Sequence, residues 1–240
     1  QYVHCLTFFA GHYPKGANVL VLGLGGGSLA NELVRLDFNV DAVELDERIA
    51  RIARDHFALD PAVNVFVDDA RRYVRSCKKR YSFIGLDCFT AEREPTHLLT
   101  IESIRDMSRV LEPDGMFVLD YRGYLDGKRG LGARCILRTI AEAGYQPIAY
   151  GTVAGEDDRD LILGGLRNPK RFWRERSLRL NQDCCAAAAN EMTRHVLQCD
   201  LDDAYVLTDD RSPLDVLNTV YHERWRISAR EGFAEMLKGR

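Results

Sequence analysis

With 240 residues, 46% of them hydrophobic and 29% charged, the chain has ordinary globular composition and enough length to bury one sizeable core. Thirty-three basic residues against 36 acidic ones leave a formal charge of −3, which excludes a global electrostatic drive toward nucleic acid or an anionic membrane surface. No run of about 18 apolar residues occurs, so no membrane span is expected within these residues. The chain opens on Gln1 rather than a methionine, which leaves an upstream domain open.

From residue 18 to about 165, short apolar runs alternate with helical patterns, the signature of a parallel sheet with crossover helices. Strands are expected at Asn18–Leu22, Val40–Glu44, Val63–Val67, Phe83–Asp87, Met116–Asp120, Pro147–Gly151 and Leu161–Gly165. Helices are expected near Leu29–Leu36, Glu47–His56, Ala70–Cys77, Ile101–Val110 and Ala133–Ala143, with Pro113-Asp114-Gly115 and Ala143-Gly144 as stops. Residues 1–166 thus read as one α/β domain. Residues 167–240 are charged and alanine-rich and read as a helical extension packed on it, with a last helix from about Leu214 to Lys238. The cationic stretches Arg71-Arg72, Arg75, Lys78–Arg80 and 167–179 read as solvated helix faces. Seven cysteines without C-x-x-C spacing fit a reduced, cytoplasmic interior. The six histidines show no ligand spacing, so no metal is expected.

Open parallel sheets bind ligands beyond the carboxyl ends of their strands, beside a reversal of strand order. Four successive strand ends carry a feature of that kind. The first is followed by Gly23-Leu-Gly25-Gly26-Gly27-Ser28, in which glycines permit positive φ and let backbone amides reach a ligand. The second ends in Glu44, about 20 residues past the loop, where an acid suits ribose hydroxyls. The third runs into Asp68-Asp69-Ala70; one acid caps the next helix and the other can accept from an exocyclic amine such as that of adenine. The fourth ends in Asp87, an acid closing an apolar run, which is costly to bury without a task. A nicotinamide site is the natural rival, but its fingerprint wants Gly or Ala where Ser28 stands.

Taken together, Val19–Gly27, Val43-Glu-Leu-Asp46, Asp68-Asp69-Ala70 and Tyr81–Asp87 occur in the order found in the nucleotide-binding half of the spermidine synthases. The chain resembles that family over about residues 2–215. His97–Glu102, Leu111–Gly115 and Thr208–Pro213 look like a bacterial branch, some of whose members are fused to membrane domains. The resemblance implies a methyltransferase-like (Rossmann-like), seven-stranded, mostly parallel sheet. It implies decarboxylated S-adenosylmethionine or S-adenosylmethionine as donor, a small amine such as putrescine as acceptor, and a homodimer. By the same resemblance Gly23, Gly25, Gly26, Gly27, Glu44, Asp69 and Ala70 hold the donor, with Glu44 on the ribose and Asp69 on the adenine amine. Asp87 is then the catalytic acid, and Tyr2, Thr90, Glu92 and Asp209 border the acceptor.

The chain also departs from that pattern. Gly26 stands where active members carry an acid, and Asp87-Cys-Phe-Thr90 replaces Asp-Ser-Ser-Asp. Ala154–Asp158 replaces a Pro-x-Tyr-Pro loop, and the family's amino-terminal β-domain is not among these residues. An acid at position 26 suits a cationic aminopropyl donor, whereas a bare loop tolerates the carboxylate of intact S-adenosylmethionine. Aminopropyl transfer, methyl transfer and non-catalytic nucleoside binding therefore all stay open at this point.

Overall fold

The computed structural model describes residues 2–88, 95–151, 159–169, 197–219, 223 and 226–227. Seven strands form one sheet: β1 (Asn18–Leu22), β2 (Asn39–Glu44), β3 (Asn64–Val67), β4 (Tyr81–Leu86), β5 (Leu111–Gly123), β6 (Gln146–Gly151) and β7 (Arg159–Leu166). Their order is β3-β2-β1-β4-β5-β7-β6. The first five are parallel to one another, while β7 lies antiparallel to both β5 and β6. This is the seven-stranded, mostly parallel α/β arrangement that the sequence leads one to expect.

Helices α2 (Ser28–Arg35), α3 (Glu47–His56), α4 (Ala70–Ser76), α5 (Ile101–Val110) and α6 (Leu131–Glu142) fall within two residues of the expected bounds. Side-chain caps explain several starts: Asp46, Asp69 and Thr100 each accept from a backbone N–H in the first turn of α3, α4 and α5. One helix was not expected. Helix α1 (Tyr2–Ala10) buries Cys5, Leu6, Thr7, Phe8, Phe9 and Ala10, so it is apolar nearly all round and carries no amphipathic period. It packs with α2 and α3 on one face of the sheet, while α4, α5 and α6 cover the other.

The Pro113-Asp114-Gly115 stop acts differently from expectation. It ends α5 but lies inside β5, where the register with β4 jumps from Tyr81↔Leu111 to Phe83↔Met116. The extra residues form a bulge, and β5 then runs on through Asp120 to Gly123.

Much of the expected helical extension, at 170–196, 220–222, 224–225 and 228–240, lies outside the described residues. Residues 197–213 form no helix; α7 covers Leu214–Leu217, and Thr219, Glu223, Arg226 and Ile227 are helical as the expected last helix requires. Leu207 and Leu214 are fully buried in the core shared with α5 and α6. The Ile101 amide donates to the Leu207 carbonyl at 2.9 Å.

The solvated reading of Arg71 is corrected here. Its side chain is 10% exposed, and two of its nitrogens donate to the two oxygens of Asp209 at 2.7 and 2.8 Å. Its Nε also lies 3.5 Å from Asp106. A charge in that position is paired because the desolvation penalty would otherwise be severe. Breaking a fully buried pair costs about 3–5 kcal/mol, and Asp209 is 39% exposed, so solvent screens part of that. An Arg71→Ala protein is expected to lose about 2 kcal/mol of unfolding free energy. Urea denaturation of the single and double variants with Asp209→Ala should yield a coupling of about 1 kcal/mol or more.

Candidate active site

Strand order reverses between β1 and β4. The first residues past them, Gly23 and Asp87, lie tightly together. A Cβ on Gly23 would lie 2.3 Å from the Asp87 carbonyl oxygen, and Gly23 has φ +88°. The Gly23 amide donates to Val43 and the Asp87 amide to Leu22, both at 2.8 Å. Only glycine fits there. Gly27 is left-handed as well (φ +81°) and forms the N-cap of α2, with Leu59 2.6 Å from where its Cβ would be. Gly25 is left-handed but open around its Cα.

Gly26 differs from these three. Its backbone is one any residue adopts, and a Cβ there would meet the Phe57 ring at 3.3 Å. Because Phe57 is 58% exposed, a side chain at 26 needs only a small ring movement. The absence of an acid at this position is thus not imposed by the backbone.

Glu44 sits against the glycine loop. Its Oε2 accepts from the Leu24 amide at 3.1 Å and the Gly25 amide at 3.3 Å, while Oε1 accepts from the Asp46 amide at 3.1 Å. A carboxylate has about four acceptor positions. One ribose hydroxyl therefore fits at Oε1 without rearrangement, and a second would displace the long bond from Gly25. Asp69 is the N-cap of α4: its Oδ1 accepts from the Arg72 amide at 2.8 Å, and its Oδ2 lies 3.5 Å from His97 Nε2. Asp68 accepts from the Asp69 amide and pairs with Arg72. The capping acid and the adenine-facing acid of the sequence reading are thus the same residue, with Oδ2 as its outward oxygen. Ala70, half-buried, is the first residue of α4.

Asp87 follows β4 directly, and its Oδ2 accepts from the Tyr2 hydroxyl of α1 at 3.3 Å. Burial pushes its carboxyl up to about 6; the Tyr2 hydrogen bond and the Arg122 cation oppose that rise. Tyr2 is itself raised, first by burial and then by Asp87 and Asp120. Cys88 is raised by burial and then by the negative charges of Asp87, Glu44 and Asp69.

Asp209 stands apart from the acceptor role expected of it. It is bound by Arg71 and by the Thr100 hydroxyl at 2.7 Å, and its amide donates to Glu102; it caps no final helix. Thr90 and Glu92 lie outside the described residues, as do residues 152–158. Sequence reasoning missed Asp120, Arg122 and His97. Asp120 had the same signal as Asp87, an acid closing the apolar run Met116-Phe-Val-Leu. No group of three potential metal ligands occurs among the described residues.

A glycine loop thus stands at the switch point of this α/β fold, with acids at the next three strand ends and the Asp87 carboxyl raised by burial to about 6. The spermine/spermidine synthase domain model matches residues 2–123. The chain belongs to that family. It is 36% identical over 112 residues to a polyamine aminopropyltransferase of Vibrio vulnificus, a match covering 44% of this chain and 38% of that protein. It is 32% identical over 113 residues to an N-terminal histidine N-methyltransferase of Emericella nidulans, covering 45% and 20%. A probable spermidine synthase from Corynebacterium glutamicum superposes with a TM-score of 0.61 at 22% identity, over 83% of this chain and 82% of that one. The chain spans less than half the length of the curated aminopropyltransferases it matches.

The raised Asp87 carboxyl has a consequence for stability. Below pH 3.8 the group is protonated folded or unfolded and contributes no difference. As pH rises through about 6 the folded state is progressively disfavoured, because it holds the proton more tightly than the unfolded chain does. A rise from 3.8 to about 6 corresponds to roughly 3 kcal/mol. Relative to the parent, Asp87→Asn should therefore gain up to roughly that amount between pH 4 and pH 8. Guanidinium melts at the two pH values check it; a pH-independent difference would rule out the raised value.

Proposed function

We propose that the chain is a transferase that moves an aminopropyl group from decarboxylated S-adenosylmethionine to an amine such as putrescine. The single observation carrying this reading is Asp87, which is held by Tyr2 at the switch point, with a carboxyl near 6. Such a group is largely ionised at neutral pH yet basic enough to take a proton. In the reaction, the nitrogen lone pair of the acceptor forms a bond to the carbon beside the sulfonium. The carbon–sulfur bond breaks toward sulfur and leaves a neutral thioether. Asp87 takes the proton that the attacking nitrogen sheds. A neutral thioether needs little help in leaving, so positioning supplies most of the rate. Glu44 on the ribose and Asp69 through its outward oxygen would hold the nucleoside.

Calorimetric titration with methylthioadenosine and both forms of the donor tests this, combined with mass spectrometry for an added aminopropyl unit on a diamine. Asp87→Asn is expected to bind methylthioadenosine within about twofold of the parent while turnover drops about 100-fold or more. Undiminished turnover in that variant would overturn the assignment.

Methyl transfer from intact S-adenosylmethionine is the second reading, favoured by Gly26. A carboxylate at 26 would attract the ammonium of the decarboxylated donor and oppose the carboxylate of the intact one. Gly26→Asp, which has room once Phe57 turns, should tighten the decarboxylated donor relative to the intact one by about tenfold, the scale of one charge-assisted contact. If the parent already binds intact S-adenosylmethionine tenfold better and transfers its methyl, the second reading replaces the first.

A further inference from the structure

The outward oxygen of Asp69 has a neighbour of opposite hydrogen-bonding character. His97 Nε2 lies 3.5 Å from Asp69 Oδ2. A carboxylate oxygen only accepts, so the ring nitrogen that faces it carries a proton. At that distance the bond is too long to hold the proton tightly. Both side chains are partly open to solvent, His97 at 51% and Asp69 at 39%, so a ligand that reaches one reaches the other. An acceptor and a donor thus stand side by side.

The pair is held from behind. Asp69 Oδ1 accepts from the Arg72 amide in the first turn of α4. His97 is the middle residue of the 3-10 turn Thr96–Leu98, and the two residues after it, Leu98 and Leu99, are buried in the core. The His97 carbonyl accepts from Arg71 Nη1 at 3.3 Å, and the same nitrogen donates to Asp209 Oδ1 at 2.7 Å. Asp209 belongs to the tail, beyond the residues 2–123 that match the family model.

Adenine carries the complementary edge. Its amino group donates and a ring nitrogen beside that group accepts, which is why side chains with one acceptor and one donor read it. Resting on the nucleoside-binding part of the reading above, we infer that His97 is a base-reading residue. Its Nε2–H donates to a ring nitrogen of adenine while Asp69 accepts from the amine, and the Arg71–Asp209 pair positions it through its carbonyl. The tail, by this route, contributes to the choice of base without touching the nucleoside.

The test is equilibrium binding of methylthioadenosine and of its 1-deaza and 7-deaza analogues, each of which replaces one ring nitrogen beside the amine by carbon. The parent is expected to bind at least one analogue about three- to tenfold more weakly than methylthioadenosine, the worth of one hydrogen bond. His97→Ala should lose the same factor on methylthioadenosine and bind that analogue no worse than the parent does, because the two deletions remove one contact. His97→Gln, whose amide also donates, should recover part of the preference. Asp209→Asn should narrow the preference, whereas a purely structural role for Asp209 would weaken both nucleosides alike; an unchanged preference there overturns the positioning role. A parent indifferent to both analogues overturns the inference, as does a His97→Ala protein that keeps the parent's preferences; both outcomes leave the nucleoside site standing. A parent that fails to bind methylthioadenosine removes the transferase reading and this inference with it. Parent protein labelled with ¹⁵N-histidine gives an answer that needs no variant. The His97 Nε2 resonance should move on adding methylthioadenosine, and an unmoved resonance would refute the contact.

Discussion

The close approach of Gly23 to the Asp87 carbonyl is the constraint from which the rest of the site follows. At that seam β1 and β4 are hydrogen-bonded neighbours up to their last residues, with the Asp87 amide still bonded to Leu22. A methyl group on Gly23 would lie 2.3 Å from the carbonyl, inside any tolerable contact, and its φ of +88° is a conformation that side chains resist. With glycine there, the chain after β1 turns directly toward α2, and Glu44, Asp69 and Asp87 stand at the strand ends beside this crevice.

Each acid at this crevice is oriented by something other than a ligand. Three backbone amides hold Glu44, the first turn of α4 holds Asp69, and a half-buried tyrosine from α1 holds Asp87. Such bonds fix the carboxylates before a nucleoside arrives, so less ordering remains to be done on binding. They also divide the labour between the acids. Glu44 and Asp69 each accept backbone N–H donors. Asp87 accepts from a side-chain hydroxyl, and burial raises its carboxyl to about 6.

The sheet was legible from the sequence because parallel strands are buried on both faces and read as unbroken apolar runs, as Val19–Leu22 and Phe83–Leu86 do. Helices with capping acids were legible for a local reason, since Asp46 and Asp69 carry their signal within three residues. Helix α1 was not, because a helix buried on nearly all sides has no polar face to set a period. Arg71 was misread for a related reason: the residues around it look like a solvated helix, and its partner Asp209 is 138 positions away. Asp120 shows the limit from the other direction. It ends the apolar run Met116–Leu119, yet β5 continues to Gly123, and only the β4–β5 register, with Leu86 opposite Leu119, sets the two acids at one level. The bulge at Pro113–Gly115 that fixes this register reads in sequence as nothing more than a stop.

The segment around Leu207–Arg211 links the tail to the nucleoside side of the site. Arg71 lies one turn into α4, two residues past the cap Asp69, and its guanidinium is clamped by Asp209. The Thr100 hydroxyl that accepts from the Ser103 amide to start α5 also donates to Asp209, and Leu207 receives the Ile101 amide just beside it. His97, whose Nε2 faces the outward oxygen of Asp69, has its carbonyl bonded by Arg71. One turn of chain thus ties together the cap of α4, the start of α5 and the loop over Asp69. Arg71 and Asp209 bind each other at this junction, two side chains 138 positions apart in sequence that hold the tail against α4 and α5.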